Sequence, residues 1–210
     1  MKLQKNDRIL FFGDSITDAG RDKSNAADLG YGYAKMIAES LSGEYPEWNF
    51  QFLNRGINGN KIPDLANRLE EDCINLSPTV VSILIGINDT WHRIGSADFG
   101  SKEVINQFER EYREVLKRIK EKTNARIVIL EPFVLSYPTD RLEWRVDLDP
   151  RIQAVRRLAN EFAEDFIPLD GLLNAAGMKV GYQALTGEDG VHPTDEGHAF
   201  IADAWLKIVN

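Results

Sequence analysis

At 210 residues, 43% hydrophobic and 28% charged, the chain has the length and composition of one globular domain, residues 1–210, with a substantial core. Its formal charge of −8 argues against a nucleic-acid groove or an anionic membrane surface and suits a neutral substrate. The lone cysteine, Cys73, excludes an intrachain disulfide, and no stretch reaches the ~18 apolar residues of a spanning helix.

The opening residues, Met1–Arg8, carry a charge every few positions and lack the apolar centre of a signal peptide, so cytoplasmic residence is the expectation. A first buried strand is predicted over Arg8–Gly13, followed at once by Asp14-Ser15-Ile16. Tyr33–Ser42 carries Ala34, Ile37, Ala38 and Leu41 at helical spacing. A second strand is expected over Asn49–Asn54, and a helix over Ile62–Leu76 with Pro63 in its first turn and Cys73 as a packed thiol. Thr79–Gly86 reads as a third strand, and Glu103–Lys122 as a strongly amphipathic helix. Ala125–Glu131 is a fourth strand, and Phe133–Asp149 is the longest non-periodic connection, a lid, a contact surface or a plain excursion. Pro150–Asp165 is again helical, Phe166–Leu169 a weaker fifth strand, and Thr194–Val209 a last helix with Thr194 as its N-cap. Strand alternating with helix specifies an α/β fold with a parallel sheet covered on both sides.

Four short segments carry chemistry. Gly13-Asp14-Ser15, Asn54–Asn60 and Gly86–Asp89 follow the first three strands, and Asp189-Gly190-Val191-His192-Pro193 precedes the last helix. Carboxyl ends of parallel strands are where such sheets gather a site. Ser15 is a candidate nucleophile, or simply a cap. His192 is a candidate base, with Asp189 three residues earlier able to orient its ring; the pair also reads as a capping turn. Gly59 and Asn88 offer donors for an oxyanion, together with the Ser15 N–H, or else serve turns.

Taken jointly, the four segments resemble the GDSL, or SGNH, hydrolase family. Ser15, Gly59, Asn88 and His192 match the four residues that name it, and Asp189 matches the acid of the last block. The resemblance spans nearly the whole chain and implies a flavodoxin-like three-layer α/β/α sandwich with a central five-stranded parallel sheet. It also implies metal-free and cofactor-free ester hydrolysis through an acyl-enzyme on Ser15. The first block reads Gly-Asp-Ser-Ile where the family has leucine, a volume-preserving change. Thr17 stands where the nucleophile elbow of α/β-hydrolases needs glycine, which predicts a more open site.

Within the family, Ile85–Trp91 and Asn54–Asn60 are similar to bacterial carbohydrate acetylesterases, including enzymes acting on xylan fragments. Trp91 is a candidate substrate contact, because sugar C–H faces pack on indole; filling the core is its alternative. Trp48, Trp144 and Trp205 read as packing or interface residues, and Arg21, Asp22 and Lys23 as either lining the mouth of the site or forming a solvated loop. The three histidines and single cysteine make no zinc pattern. The expectation is a serine esterase that removes acetyl groups from an acetylated sugar or xylo-oligosaccharide. A thioesterase, a lysophospholipase or an arylesterase would use the same machinery, and a non-catalytic flavodoxin-like module is the rival from another class. No nucleic-acid or membrane partner is expected, and the exposed aromatics are compatible with a homo-oligomer.

Overall fold

The computed structural model describes residues 2–209. Its strands are β1 (Arg8–Gly13), β2 (Gln51–Gly56), β3 (Val80–Leu84), β4 (Arg126–Leu130) and β5 (Asp165–Ile167). They form one sheet, every neighbouring pair parallel, in the order β2-β1-β3-β4-β5. The chain runs outward to β2 and then returns across β1 to β3. That reversal opens a crevice at the carboxyl ends of β1 and β3.

Alternation along each strand feeds two cores. Ile9 and Phe11 join Tyr33, Ile37, Leu41, Ile201 and Trp205 on one face. Leu10 and Phe12 join Leu65, Leu69, Phe108, Tyr112, Leu116 and Leu158 on the other. The first face is covered by α2 (Tyr33–Glu44), α8 (Leu169–Val180) and α10 (Asp195–Val209). The second is covered by α3 (Ile62–Asn67), α6 (Lys102–Lys122) and most of α7 (Arg145–Phe162). This is the three-layer sandwich with a five-stranded parallel sheet.

Several boundaries differ from the sequence reading, each for a local reason. β2 starts at Gln51, because Asn49 is left-handed (φ 52°) behind the 3-10 turn Pro46–Trp48. β5 stops at Ile167: Pro168 has no N–H for the ladder and precedes α8. The helix expected over Ile62–Leu76 breaks at Arg68 into α3, α4 (Leu69–Asp72) and a 3-10 turn, Ile74–Leu76. Cys73 lies at the second break, buried, its thiol pushed up to about 12 by burial. Part of the Phe133–Asp149 connection is ordered as a 3-10 turn, Thr139–Trp144, that runs into α7 with Pro150 inside the helix. Short helices α1 (Ser15–Asp18), α5 (Ile87–Trp91) and α9 (Tyr182–Thr186), and the longer α8, escaped the pattern reading. In α8 the glycines Gly171 and Gly177 dilute the apolar stripe. Thr194 does cap α10: its Oγ1 accepts from the Gly197 N–H at 3.2 Å.

Candidate active site

The first loop is fixed by Asp14, whose Oδ1 accepts from the Ile16 N–H at 3.0 Å and so caps α1 with Ser15 as its first residue. The second loop is pressed onto it. A Cβ on Gly56 would lie 2.1 Å from the Asp18 nitrogen, so only glycine allows the approach. Asn54 clamps the same junction: its Nδ2 donates to Thr17 O (2.6 Å) and Leu29 O (2.9 Å), and its Oδ1 accepts from Gly56 N–H (2.8 Å). Arg68 then ties the two loops from beneath. Its Nη2 donates to Gly13 O (3.0 Å), its Nη1 to Arg55 O (2.9 Å) and its Nε to Asn60 Oδ1 (2.8 Å). These bonds account for the helix break at Arg68, whose backbone sits at φ −107°, ψ 10°.

At the crevice, Ser15 Oγ lies 2.8 Å from His192 Nε2, and His192 Nδ1 lies 2.6 Å from Asp189 Oδ2. The other Asp189 oxygen accepts from the N–H groups of Val191 and His192, each at 2.8 Å, so the turn itself aims the carboxylate. The Asp189 hydrogen bond raises the His192 imidazole above its ordinary value, against the opposing effect of burial. Burial alone would raise Asp189, but the His192 ring and the two backbone N–H groups outweigh it and hold the carboxyl low. With a proton on Nδ1, His192 presents Nε2 as acceptor to the serine hydroxyl. The His192 side chain is 46% exposed, as the open-site expectation required.

Ser15 and His192 line a cavity of about 320 Å³ with Asn58, Gly59, Asn88, Trp91 and His92. Gly59 is left-handed (φ 77°), a conformation that favours glycine, and a Cβ there would meet nothing closer than 3.9 Å. The Asn88 Nδ2 donates one hydrogen to Asn60 O at 3.1 Å, which fixes the amide and leaves its second hydrogen for a ligand. Every site residue expected from sequence therefore converges on one place. Trp91 borders it, half-buried, with its ring 5.9 Å from His192 and 5.1 Å from Trp144. Arg21, Asp22 and Lys23 do not line this cavity: Arg21 is buried and its Nε donates to Gly56 O at 3.0 Å, beneath the second loop.

Sequence reasoning passed over two cations here. Arg68 is hidden in a polar helix face. Arg141, in the Phe133–Asp149 connection, lays its guanidinium 4.3 Å from the Trp144 ring centroid and donates from Nε to Asp189 O at 2.7 Å. The signal for Arg141 was its place in that long loop between aromatics. His198, by contrast, is a core residue: burial pushes it down to about 4, and its Nδ1 accepts from Tyr33 N–H at 3.3 Å.

The sequence profile of the GDSL-like Lipase/Acylhydrolase family matches residues 11–200. The chain belongs to this family. As a GDSL-family protein it is a carboxylic ester hydrolase. It is 32% identical to an acetylxylan esterase from Geobacillus stearothermophilus over 99% of this chain and 95% of the relative. A crystal structure of a catalytic mutant of that esterase superimposes with a TM-score of 0.85, covering 99% of this chain and 95% of the other. A GDSL-like lipase-type structure from Parabacteroides merdae gives a TM-score of 0.89 at 36% identity, covering 98% and 96% of the two chains. Among the described residues no helix is long and apolar enough to cross a membrane, and no three His, Cys, Asp or Glu residues are grouped to hold a metal ion.

Proposed function

We propose that this GDSL-family esterase removes acetyl groups from acetylated sugars or short xylo-oligosaccharides. The observation that carries this reading is the full-length similarity to an acetylxylan esterase, whose structures are also described as those of an acetyl-xylooligosaccharide esterase. Ser15 Oγ attacks the ester carbonyl as His192 Nε2 takes its proton. Asp189 holds the ring and stabilises the imidazolium. The N–H groups of Ser15 and Gly59 and the free hydrogen of the Asn88 amide receive the oxyanion. His192 then returns the proton to the departing sugar oxygen. Water, deprotonated by the same imidazole, attacks the acyl-enzyme and releases acetate. Trp91 packs beside the reacting ester.

The test is a hydrolysis screen over acetylated mono- and oligosaccharides, with acyl-thioesters and lysophospholipids as controls, on wild type and Ser15→Ala. Deacetylation of the sugars, a steep fall beyond acetyl along an acyl-chain series, and a single fluorophosphonate adduct lost in Ser15→Ala are expected. A preference for long acyl chains rejects the acetyl-sugar reading. Failure of the probe to label active wild-type protein rejects the serine mechanism.

A further inference from the structure

A second cavity, about 310 Å³, adjoins the one at Ser15. His92 lines both, and so divides them. Its other walls come from Lys61 at the foot of α3, from Asp89 on α5, from Gln107 and Glu111 on α6, and from Arg151 on α7. A volume of this size is at the lower end of the range for small-ligand sites, ~300–1,000 Å³.

The lining is as much apolar as polar, with Phe108 beside the charged groups, and both signs of charge are present. Asp89 and Arg151 are buried, 7% and 1% exposed, although both border the cavity. Buried ionisable groups ordinarily have their hydrogen-bonding capacity filled. Asp89 accepts only long bonds from the Ile62 N–H, at 3.2 and 3.4 Å, and burial pushes its carboxyl up to about 7. Its oxygens therefore retain capacity toward the cavity. An anion there would meet Asp89 and Glu111, and a cation would meet Lys61, Arg93 and Arg151. An alkyl chain would strip water from all of them without replacing a hydrogen bond. A neutral ring carrying several hydroxyls, each both donor and acceptor, satisfies carboxyl, amide and cation together.

We propose that this cavity is the subsite for a pyranose ring of the alcohol half of the ester, with Asp89 and Arg151 at its base, Lys61, Gln107 and Glu111 at its walls, and His92 between it and the acyl centre. The proposal rests on the acetyl-sugar reading and gives it a place on the molecule. It explains how a shallow acyl site selects a sugar ester: the recognition lies next door.

The selectivity ratio tests it, measured as kcat/KM on acetylated xylobiose divided by kcat/KM on 4-nitrophenyl acetate. Gln107→Ala with Glu111→Ala should lower that ratio about tenfold, the scale of one lost hydrogen bond to a charged group. Glu111→Gln, which keeps shape and one acceptor, should lower it less. A ratio within twofold of wild type in the double variant overturns the subsite, and so does an equal loss on both esters. Wild-type protein that cleaves 4-nitrophenyl acetate but not acetylated xylobiose instead overturns the acetyl-sugar reading, and the subsite falls with it.

Discussion

At Asn88 a single amide does two jobs, and the geometry separates them. One hydrogen goes to Asn60 O and braces the second loop, while the other is, in the proposed mechanism, the donor to the developing oxyanion. Asn88→Ala should therefore lower kcat by about 10²–10³-fold, the usual loss for one such donor, with the far-ultraviolet spectrum unchanged. The same scale governs pH. His192 must be neutral to accept the serine proton, so kcat/KM should rise with pH through an imidazole midpoint above 6.5, where Asp189 has placed it. Asp189→Asn removes the carboxylate that stabilises the imidazolium. Its acid limb should move to lower pH while its plateau falls by up to about 10⁴-fold, measured as a kcat/KM profile from pH 5 to 9. Ser15, His192 and Asp189 were legible in the chain because each sits in a short segment of recognisable chemistry. For Arg141 only its place in the long loop was legible and its role was not, since a donor to a backbone carbonyl has no sequence signature.

Between helices α3 and α4, Arg68 shows how an element boundary can be set by a site rather than by propensity. The apolar spacing Ile62, Leu65, Leu69 and Cys73 continues helically through the break, which is why one helix was expected there. The guanidinium instead reaches Gly13, Arg55 and Asn60, with Phe12 4.5 Å beneath it. Arg68→Ala should lower stability by about 1–3 kcal/mol in urea unfolding, because the acceptors on Gly13, Arg55 and Asn60 and the Asp72 carboxylate lose a charged donor. It should also reduce kcat, since both loops move. Arg68→Lys should recover little of either, because an ammonium lacks the planar fork. Likewise, β2 and β5 were found but misplaced, β2 starting two residues later and β5 ending two residues earlier than expected, since a left-handed Asn49 and the missing N–H of Pro168 act on the backbone and leave hydrophobic pattern untouched.

Over the whole molecule, burial raises three carboxyls, Asp14, Asp89 and Glu131, and so tilts stability with pH. Burial pushes Asp14 and Asp89 each up to about 7 from 3.8. Between those values the folded chain binds more protons than the unfolded one. The contribution is thus complete below 3.8 and is lost as pH rises toward 7. Asn at position 14 can still cap α1 without titrating. The stability of Asp14→Asn relative to wild type should therefore improve by ~1–4 kcal/mol between pH 4 and pH 8, read by urea unfolding at both. The amino-acid order by itself determined the α/β class, the alternation of strands and helices, and which residues are candidates for the site, because periodicity and short motif-like segments are local properties. Only the folded chain decided that Ser15 and His192, 177 positions apart, stand 2.8 Å from one another, that Arg21 supports a loop, and that a second cavity lies behind His92. Those are distances between remote parts of the chain, fixed by how the loops at the carboxyl ends of a parallel sheet pack together.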